Sequence, residues 1–271
     1  MSATAVAGIF ALAGCSDPRR TPVTETATAT STVRETVTAF AGPERYAGRV
    51  PTSFGMSMPG IVEAVPTTPG RRTIALTFDA CGGPHGSAVD QRLVDTLREH
   101  AVPATLLLSA TWIEANPEAT RSLAADPLFR LENHGTRHLP LTVNGAAAYG
   151  IPGTGTPAEA MAEIDGNREL LSRYGVESNW FRSGTAHYDD VAVDIARDRG
   201  VTIAGYAVNG DYGATATPAH VAENIITAPD GAIVLAHMNH PHSGTAEGVR
   251  RAVEELRGSA VRFAFLDGTL P

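Results

Sequence analysis

Aromatic residues are scarce in this 271-residue chain, at 6%, and basic residues number 21 against 29 acidic ones. The net charge of -8 excludes the basic surface that a nucleic-acid partner requires. It also repels acidic polymers at long range, so a neutral glycan is the easier polymer to accommodate. After residue 15 no apolar run is long enough to span a bilayer. What is present is 43% hydrophobic residues, enough for a soluble domain with a full core.

Cysteine is nearly absent too, and the two that occur, Cys15 and Cys81, need different explanations. Cys15 ends the apolar run Ala3–Gly14, and Leu12-Ala13-Gly14-Cys15 resembles a bacterial lipobox, in which Cys15 would be acylated. No Lys or Arg precedes the run, so the basic part of an export signal would lie upstream of Met1. This predicts an exported protein, held as a lipoprotein on the outer side of the cytoplasmic membrane or secreted. Membrane contact would be through the lipid anchor alone. A lipidated Cys15 leaves Cys81 without a disulfide partner in the chain.

Residues 1–15 are therefore read as a lipoprotein-type signal segment, and residues 16–69 as a Thr-, Ala- and Pro-rich disordered tether. Within that tether, Phe54-Gly-Met-Ser-Met58 is the one stretch expected to touch the domain edge. From residue 70 to 271 the pattern alternates strand and helix. Strands are predicted at Thr73–Phe78, Ala104–Ser109, Phe129–Glu132, Asn179–Phe181, Thr202–Val208, Ala232–Ala236 and Val261–Leu266. The first helix is expected after Ser87, with Val89, Leu93 and Leu97 on one face. A longer one spans Thr156 to Tyr174, with Thr156 as N-cap and Glu159 completing a capping box. Further helices are predicted at Asp189–Arg199, Pro218–Thr227 and Gly244–Arg257. Seven strands alternating with helices imply an α/β fold with a parallel sheet, open or closed as a barrel, whose site lies at the carboxyl ends of the strands.

Five segments fall at such ends: Thr77-Phe78-Asp79, His134-Gly-Thr-Arg-His138, Phe181-Arg182, Gly210-Asp211-Tyr212 and Leu235-Ala236-His237. Singly, each has a plain explanation. Asp79 and Asp211 suit turns, Arg182 suits a structural ion pair, and the histidines suit a solvated surface. Together they make a metal-assisted hydrolase. His134 and His138, spaced H-x3-H, suit a divalent cation such as zinc, with Gly135 and Pro140 placing the pair in a loop. Asp79 would then be a general base kept ionised by Arg182, and Asp211 would hold His237 as the imidazolium that protonates the leaving group.

The five segments, in this order, resemble the motifs of the NodB-homology polysaccharide deacetylases, carbohydrate esterase family 4. The resemblance covers about residues 70–271 and implies a distorted (β/α)7 barrel. It implies removal of acetyl groups from an amino-sugar polysaccharide by metal-bound water, usually with zinc. By position, Asp79 resembles the catalytic base, Arg182 its tether, and His134 and His138 two metal ligands. Asp211 and His237 resemble the pair that forms the catalytic acid, and Leu235 lines the acetyl pocket.

Three departures stand out. The family's second aspartate, a metal ligand, is replaced by Ala80, which leaves Asp79, Cys81, His85 or water as the third ligand. After Arg182 the family's Pro and Tyr are replaced by Gly184 and Thr185, whose backbone N–H still suits an oxyanion. Tyr212 stands where the family has Trp. The alternatives to a deacetylase are a glycan-binding pseudoenzyme that lost productive metal binding, and an amidase on a small or peptide substrate.

Overall fold

Strand β3 (Arg72–Ala80) runs through the middle of the molecule and sorts its residues between two cores. Ile74, Leu76, Phe78 and Ala80 join the large apolar cluster under the helices. Ala75 belongs to a smaller cluster with Leu107, Ala204, Ile233 and Leu266 in the interior of the curled sheet. Thr77 and Asp79 share its face, by the two-residue period of a strand. The computed structural model describes residues 40–271, so the signal segment with Cys15, and the tether up to residue 39, lie outside the described residues.

On one flank of β3 come β4 (Ala104–Leu108), β5 (Phe129–Asn133), β6 (Trp180–Phe181) and β8 (Thr202–Ala204), all parallel. On the other come β10 (Ile233–His237) and β9 (Val208–Asn209), also parallel. The last strand, β11 (Val261–Phe263), pairs with the first residues of β3. This mostly parallel, curled sheet is the (β/α)7 architecture expected. The predicted strand Thr202–Val208 is broken into β8 and β9, because Gly205–Ala207 leaves one partner for another.

What occupies that break is the segment assigned above to the tether, and the assignment is corrected for residues 40–69. Strand β2 (Ile61–Val62) lies parallel to β8, and the next residue, Glu63, accepts from the Ile233 N–H at 3.2 Å. Residues 61–65 thus join the β8 edge to β10. Gly205 permits this, since an added Cβ there would lie 2.6 Å from Ile61 Cγ2. Upstream, β1 (Phe54–Gly55) pairs antiparallel with β7 (Tyr188–Asp189). Tyr46 is buried and donates to Asp198 at 2.6 Å, and Thr52 binds Asp190. The stretch holds on by a few separated anchors rather than by a continuous apolar face, which is why composition alone reads as a tether.

The helices cover the outside of the sheet. Helix α1 (Gln91–Glu99) is capped by Asp90, three residues later than Ser87, because Gly82 to Val89 form an extended turn. Two short helices escaped prediction, α2 (Ala110–Ala115) capped by Ser109 and α3 (Pro117–Ala124) opened by Pro117. Helix α4 (Pro157–Ser172) has Thr156 as its cap, but Glu159 reaches back to the Gly155 N–H rather than to Thr156 itself. Helices α5 (Asp190–Asp198), α6 (Pro218–Ile226) and α7 (Thr245–Leu256) complete the layer. Among the described residues no helix is long and apolar enough to cross a membrane.

Glu132 in β5 is buried, and one of its oxygens accepts from Ser178 Oγ and from the N–H groups of Asn179 and Trp180, fixing the entry to β6. Burial pushes its carboxyl up to about 7 against those hydrogen bonds. The folded chain therefore keeps a proton that the unfolded chain has lost, and stability falls as pH rises from about 4.5 through 7. Replacing it, Glu132→Gln, should remove on the order of 3 kcal/mol of that pH dependence. Urea unfolding of both proteins at pH 4.5 and 8 measures it, and identical slopes would reject the assignment.

Candidate active site

Asp79 sits at the end of β3, where the sheet interior opens to solvent, and it is 3% exposed. Arg182, just after β6 and fully buried, donates to Asp79 Oδ1 at 2.7 Å and to Thr77 Oγ1 at 2.9 Å. Its other nitrogens donate to the carbonyls of Ala204 and Gly205, both at 2.9 Å. Burial works against charge on Asp79, but Arg182, His134 and His237 outweigh it and hold the carboxyl below its usual range. Oδ2 is left facing His134 Nε2 at 3.6 Å.

The His134–His138 segment is a loop, as Gly135 and Pro140 implied. Two helix side chains shape it. Asn167 binds Asn133, whose side-chain amide oxygen accepts from the Gly135 N–H, and buried Glu163 accepts from the N–H groups of Arg137 and Leu139. His138 lies at φ 61, a left-handed backbone held by this frame. A Cβ at Gly184 would fall 2.3 Å from the His138 carbonyl carbon, so the glycine standing there admits the His138 backbone. His134 Nδ1 donates to the Arg182 carbonyl at 3.0 Å, which leaves the Nε2 lone pair free.

The ligating atoms of Cys81, His134 and His138 lie within 4.8 Å of one another. Cys81 Sγ is 3.8 Å from His134 Nε2, and His138 Nε2 is buried with no hydrogen-bond partner. A thiol and two imidazoles are a donor set for a divalent metal, and an orphaned buried nitrogen is what such an ion would satisfy. Burial pushes the Cys81 thiol up, yet the neighbouring imidazoles of His134, His138 and His237 bring it well below its usual range. His85 is exposed and is not part of this group, so it is removed from the possible ligands.

His237 is the last residue of β10 and the register neighbour of Asp79 on β3. Its Nδ1 is 2.9 Å from Asp211 Oδ1, its own N–H donates to Asp211 Oδ2, and Thr245 Oγ1 completes the carboxylate's shell at 2.8 Å. Burial disfavours charge on His237, but Asp211 and then Cys81 raise its imidazole well above the usual value. The reciprocal effect lowers Asp211 despite its burial. Nδ1 is thus committed, and Nε2 is available on the cavity side.

These groups share a cavity of about 420 Å³ lined by Asp79, Cys81, His138, Leu235 and His237. Thr185 and Tyr212 also line it, as do Tyr149 and Tyr206. The sequence reading missed Tyr149, Glu163 and Thr245. Tyr149 rides an isolated turn with no periodic signal, whereas a glutamate beside Ile164 on an otherwise apolar helix face was visible and went unread.

Comparison with known proteins adds the lineage. Residues 67–204, just over half of the chain, match the family model described as polysaccharide deacetylase. The Bacillus subtilis (strain 168) protein YlxY is 20% identical over 173 residues, 64% of this chain and 50% of YlxY. The chain thus spans about half the length of that curated relative. Among solved structures, a family 4 carbohydrate esterase from Streptomyces lividans in complex with acetate aligns with a TM-score of 0.60 at 20% identity. The alignment covers 74% of this chain and 98% of that one. BA3943 from Bacillus anthracis, a CE4 family pseudoenzyme, aligns with a TM-score of 0.60 at 19% identity, covering 76% and 67%. Such identities speak for the fold, and the sequence model speaks for the lineage: the chain belongs to the polysaccharide deacetylase family.

Proposed function

We propose that this chain hydrolyses acetyl groups from an amino-sugar polysaccharide of the cell wall or extracellular matrix. The observation that carries the reading is one cavity in which a carboxylate and an imidazolium border a Cys/His/His group. A divalent cation held by His134 and His138, zinc in our reading, would supply Lewis acidity toward the acetyl carbonyl and acidify water. The chain does the rest. Asp79 Oδ2 accepts the proton of the attacking water, with Oδ1 anchored on Arg182. The Thr185 N–H donates to the carbonyl oxygen as it gains charge. His237 Nε2 passes its proton to the departing amine, giving acetate and a free amino sugar.

A glycan is favoured over a small amide by the mouth of the cavity. Tyr149, 77% exposed, and Tyr212 stand there on left-handed turn residues, with Tyr206 beside them. Exposed aromatic faces of this kind suit the C–H faces of sugar rings. One observation favours a second reading, a glycan-binding pseudoenzyme: Ala80 offers no ligand, and BA3943 shows that this fold exists as a pseudoenzyme. We also propose export and anchoring through acylated Cys15, which palmitate labelling of wild type against Cys15→Ser tests.

Acetate release from N-acetylglucosamine oligomers should stop with chelator and return with zinc. His237→Gln should lower kcat about 10²- to 10⁴-fold with the melting temperature kept. Unchanged turnover would refute the proton-donor role, and glycan binding without any acetate release would favour the pseudoenzyme. Asp79→Asn should be equally inactive but is the poorer probe. It leaves the Arg182 guanidinium buried and unpaired, at a cost of roughly 3 kcal/mol.

The pH profile tests the His237–Asp211 pair. Activity needs His237 protonated, so it falls as pH rises through the raised imidazole pKa. In Asp211→Asn that support is gone, and the alkaline limb of kcat should move down by about one pH unit or more. A limb that stays in place means another group is the acid. Tyr149→Ala should raise KM about tenfold for oligosaccharides and leave that for a simple acetyl ester unchanged. Equal effects on both substrates would remove the stacking role.

A further inference from the structure

The geometry points to Cys81 as the third protein ligand of the cation, making this a Cys-His-His centre selective for thiophilic metals. The inference rests on the reading of His134 and His138 as ligands and specifies what replaces the missing carboxylate.

The direction of the chain decides it. Ala80 stays in the pleat of β3, and its side chain is fully buried in the apolar layer beneath the helices. The next residue points the other way, and the turn that follows holds it there. Gly82 and Gly83 take φ of 73° and 79°. The Cys81 carbonyl accepts from Ser109 Oγ at 2.8 Å and from Thr111 Oγ1 at 3.3 Å. An added Cβ at Gly82 would fall 2.7 Å from the Trp112 nitrogen, so the turn closes this tightly only with glycine.

The donor positions agree with a tetrahedral site. With metal–sulfur and metal–nitrogen bonds of about 2.3 and 2.0 Å, neighbouring donors sit roughly 3.5 Å apart. Cys81 Sγ and His134 Nε2 are 3.8 Å apart, and the His138 donor closes the group within 4.8 Å. His134 has its proton on Nδ1, turned to the Arg182 carbonyl, so Nε2 presents a lone pair to the same point. His138 Nε2 is the buried atom that nothing in the protein satisfies. The competing donors are otherwise placed. Asp79 has one oxygen on Arg182 and the other 3.6 Å from His134 Nε2, beside rather than within the three-donor group, and His85 is exposed.

A thiolate carries the same single charge as the carboxylate it replaces, so the attraction for a dication is kept while the preference changes. Sulfur favours zinc, cobalt and cadmium over manganese, magnesium and calcium.

Cobalt reports this directly, without any turnover. In the full chain carrying Cys15→Ser, Cys81 is the sole thiol. Stoichiometric Co²⁺ should give a thiolate-to-cobalt charge-transfer band in the near ultraviolet, and Zn²⁺ should displace it and protect Cys81 from a thiol reagent. Cys81→Ser should lose the band and bind Co²⁺ about a hundredfold more weakly. Cys81→Asp should bind without the band and take Mn²⁺ comparatively better. Should Co²⁺ bind at one equivalent with no such band, and Zn²⁺ leave the thiol reactive, Cys81 is not a ligand and the metal-dependent reading survives on other donors. No binding of Co²⁺ or Zn²⁺ to wild type overturns both.

Discussion

The Arg182–Asp79 pair is the interaction on which the rest of this structure depends. A fully buried guanidinium is a liability unless its donors are met, and here all three nitrogens are engaged, in four hydrogen bonds. It reaches Asp79 and Thr77 on β3 and the carbonyls of Ala204 and Gly205 at the end of β8. Such a pair adds little to stability over a well-packed apolar core. Its effect is registration: it ties β3 to the end of β8 across the interior at the height where strands end. The same residue's carbonyl takes the Nδ1 proton of His134. One arginine therefore sets the ionisation of the base, the tautomer of an imidazole and the closure of the sheet.

Gly205 links this to the part of the chain that looked unstructured. The carbonyl that binds Arg182 belongs to the residue whose missing side chain lets Ile61 in, and the Gly205 N–H donates to the Val62 carbonyl at 2.8 Å. The N-terminal segment is thereby part of the wall that holds Arg182 in place. Family resemblance begins near residue 67, yet the closing strand lies upstream of it. A fragment cut at residue 70 would expose the β8 edge and unseat the tether of Asp79.

Much of this was legible beforehand, for identifiable reasons. Buried parallel strands are short apolar runs, and β3, β4 and β10 were found within a residue or so because Ile, Leu, Val and Phe crowd there. Sites at strand ends then followed from the fold class, so Asp79, His134, Arg182, Asp211 and His237 could be grouped although they are far apart in sequence. The failures share a cause as well. Residues 40–69, α2 and α3 are held by single anchors such as Tyr46 and by caps such as Ser109, and a lone anchor has no periodicity to detect. The choice among Asp79, Cys81 and His85 was beyond the sequence. It turns on which way one side chain leaves a glycine turn, and that is set by Ser109, Thr111 and Trp112 from another element.

Charge accounting across the site marks the corner that a cation would stabilise. Asp79 is matched by Arg182, and Asp211 is matched by His237, so each pair is close to neutral. What remains is Cys81, drawn toward the thiolate by three surrounding imidazoles, with His134 raised by burial-opposed attraction to Asp79 and Cys81. Without a cation this corner must keep a proton between sulfur and nitrogen. A dication would displace it, free both lone pairs and relieve the unpartnered nitrogen of His138. Ala80 removes a ligand from the strand without removing the need for one, since a buried half-satisfied cluster is costlier than an apolar plug of the same size. A lineage that had abandoned metal would be expected to fill this corner with apolar side chains. The chain instead holds two imidazoles and a thiol whose donor atoms lie within 4.8 Å of one another.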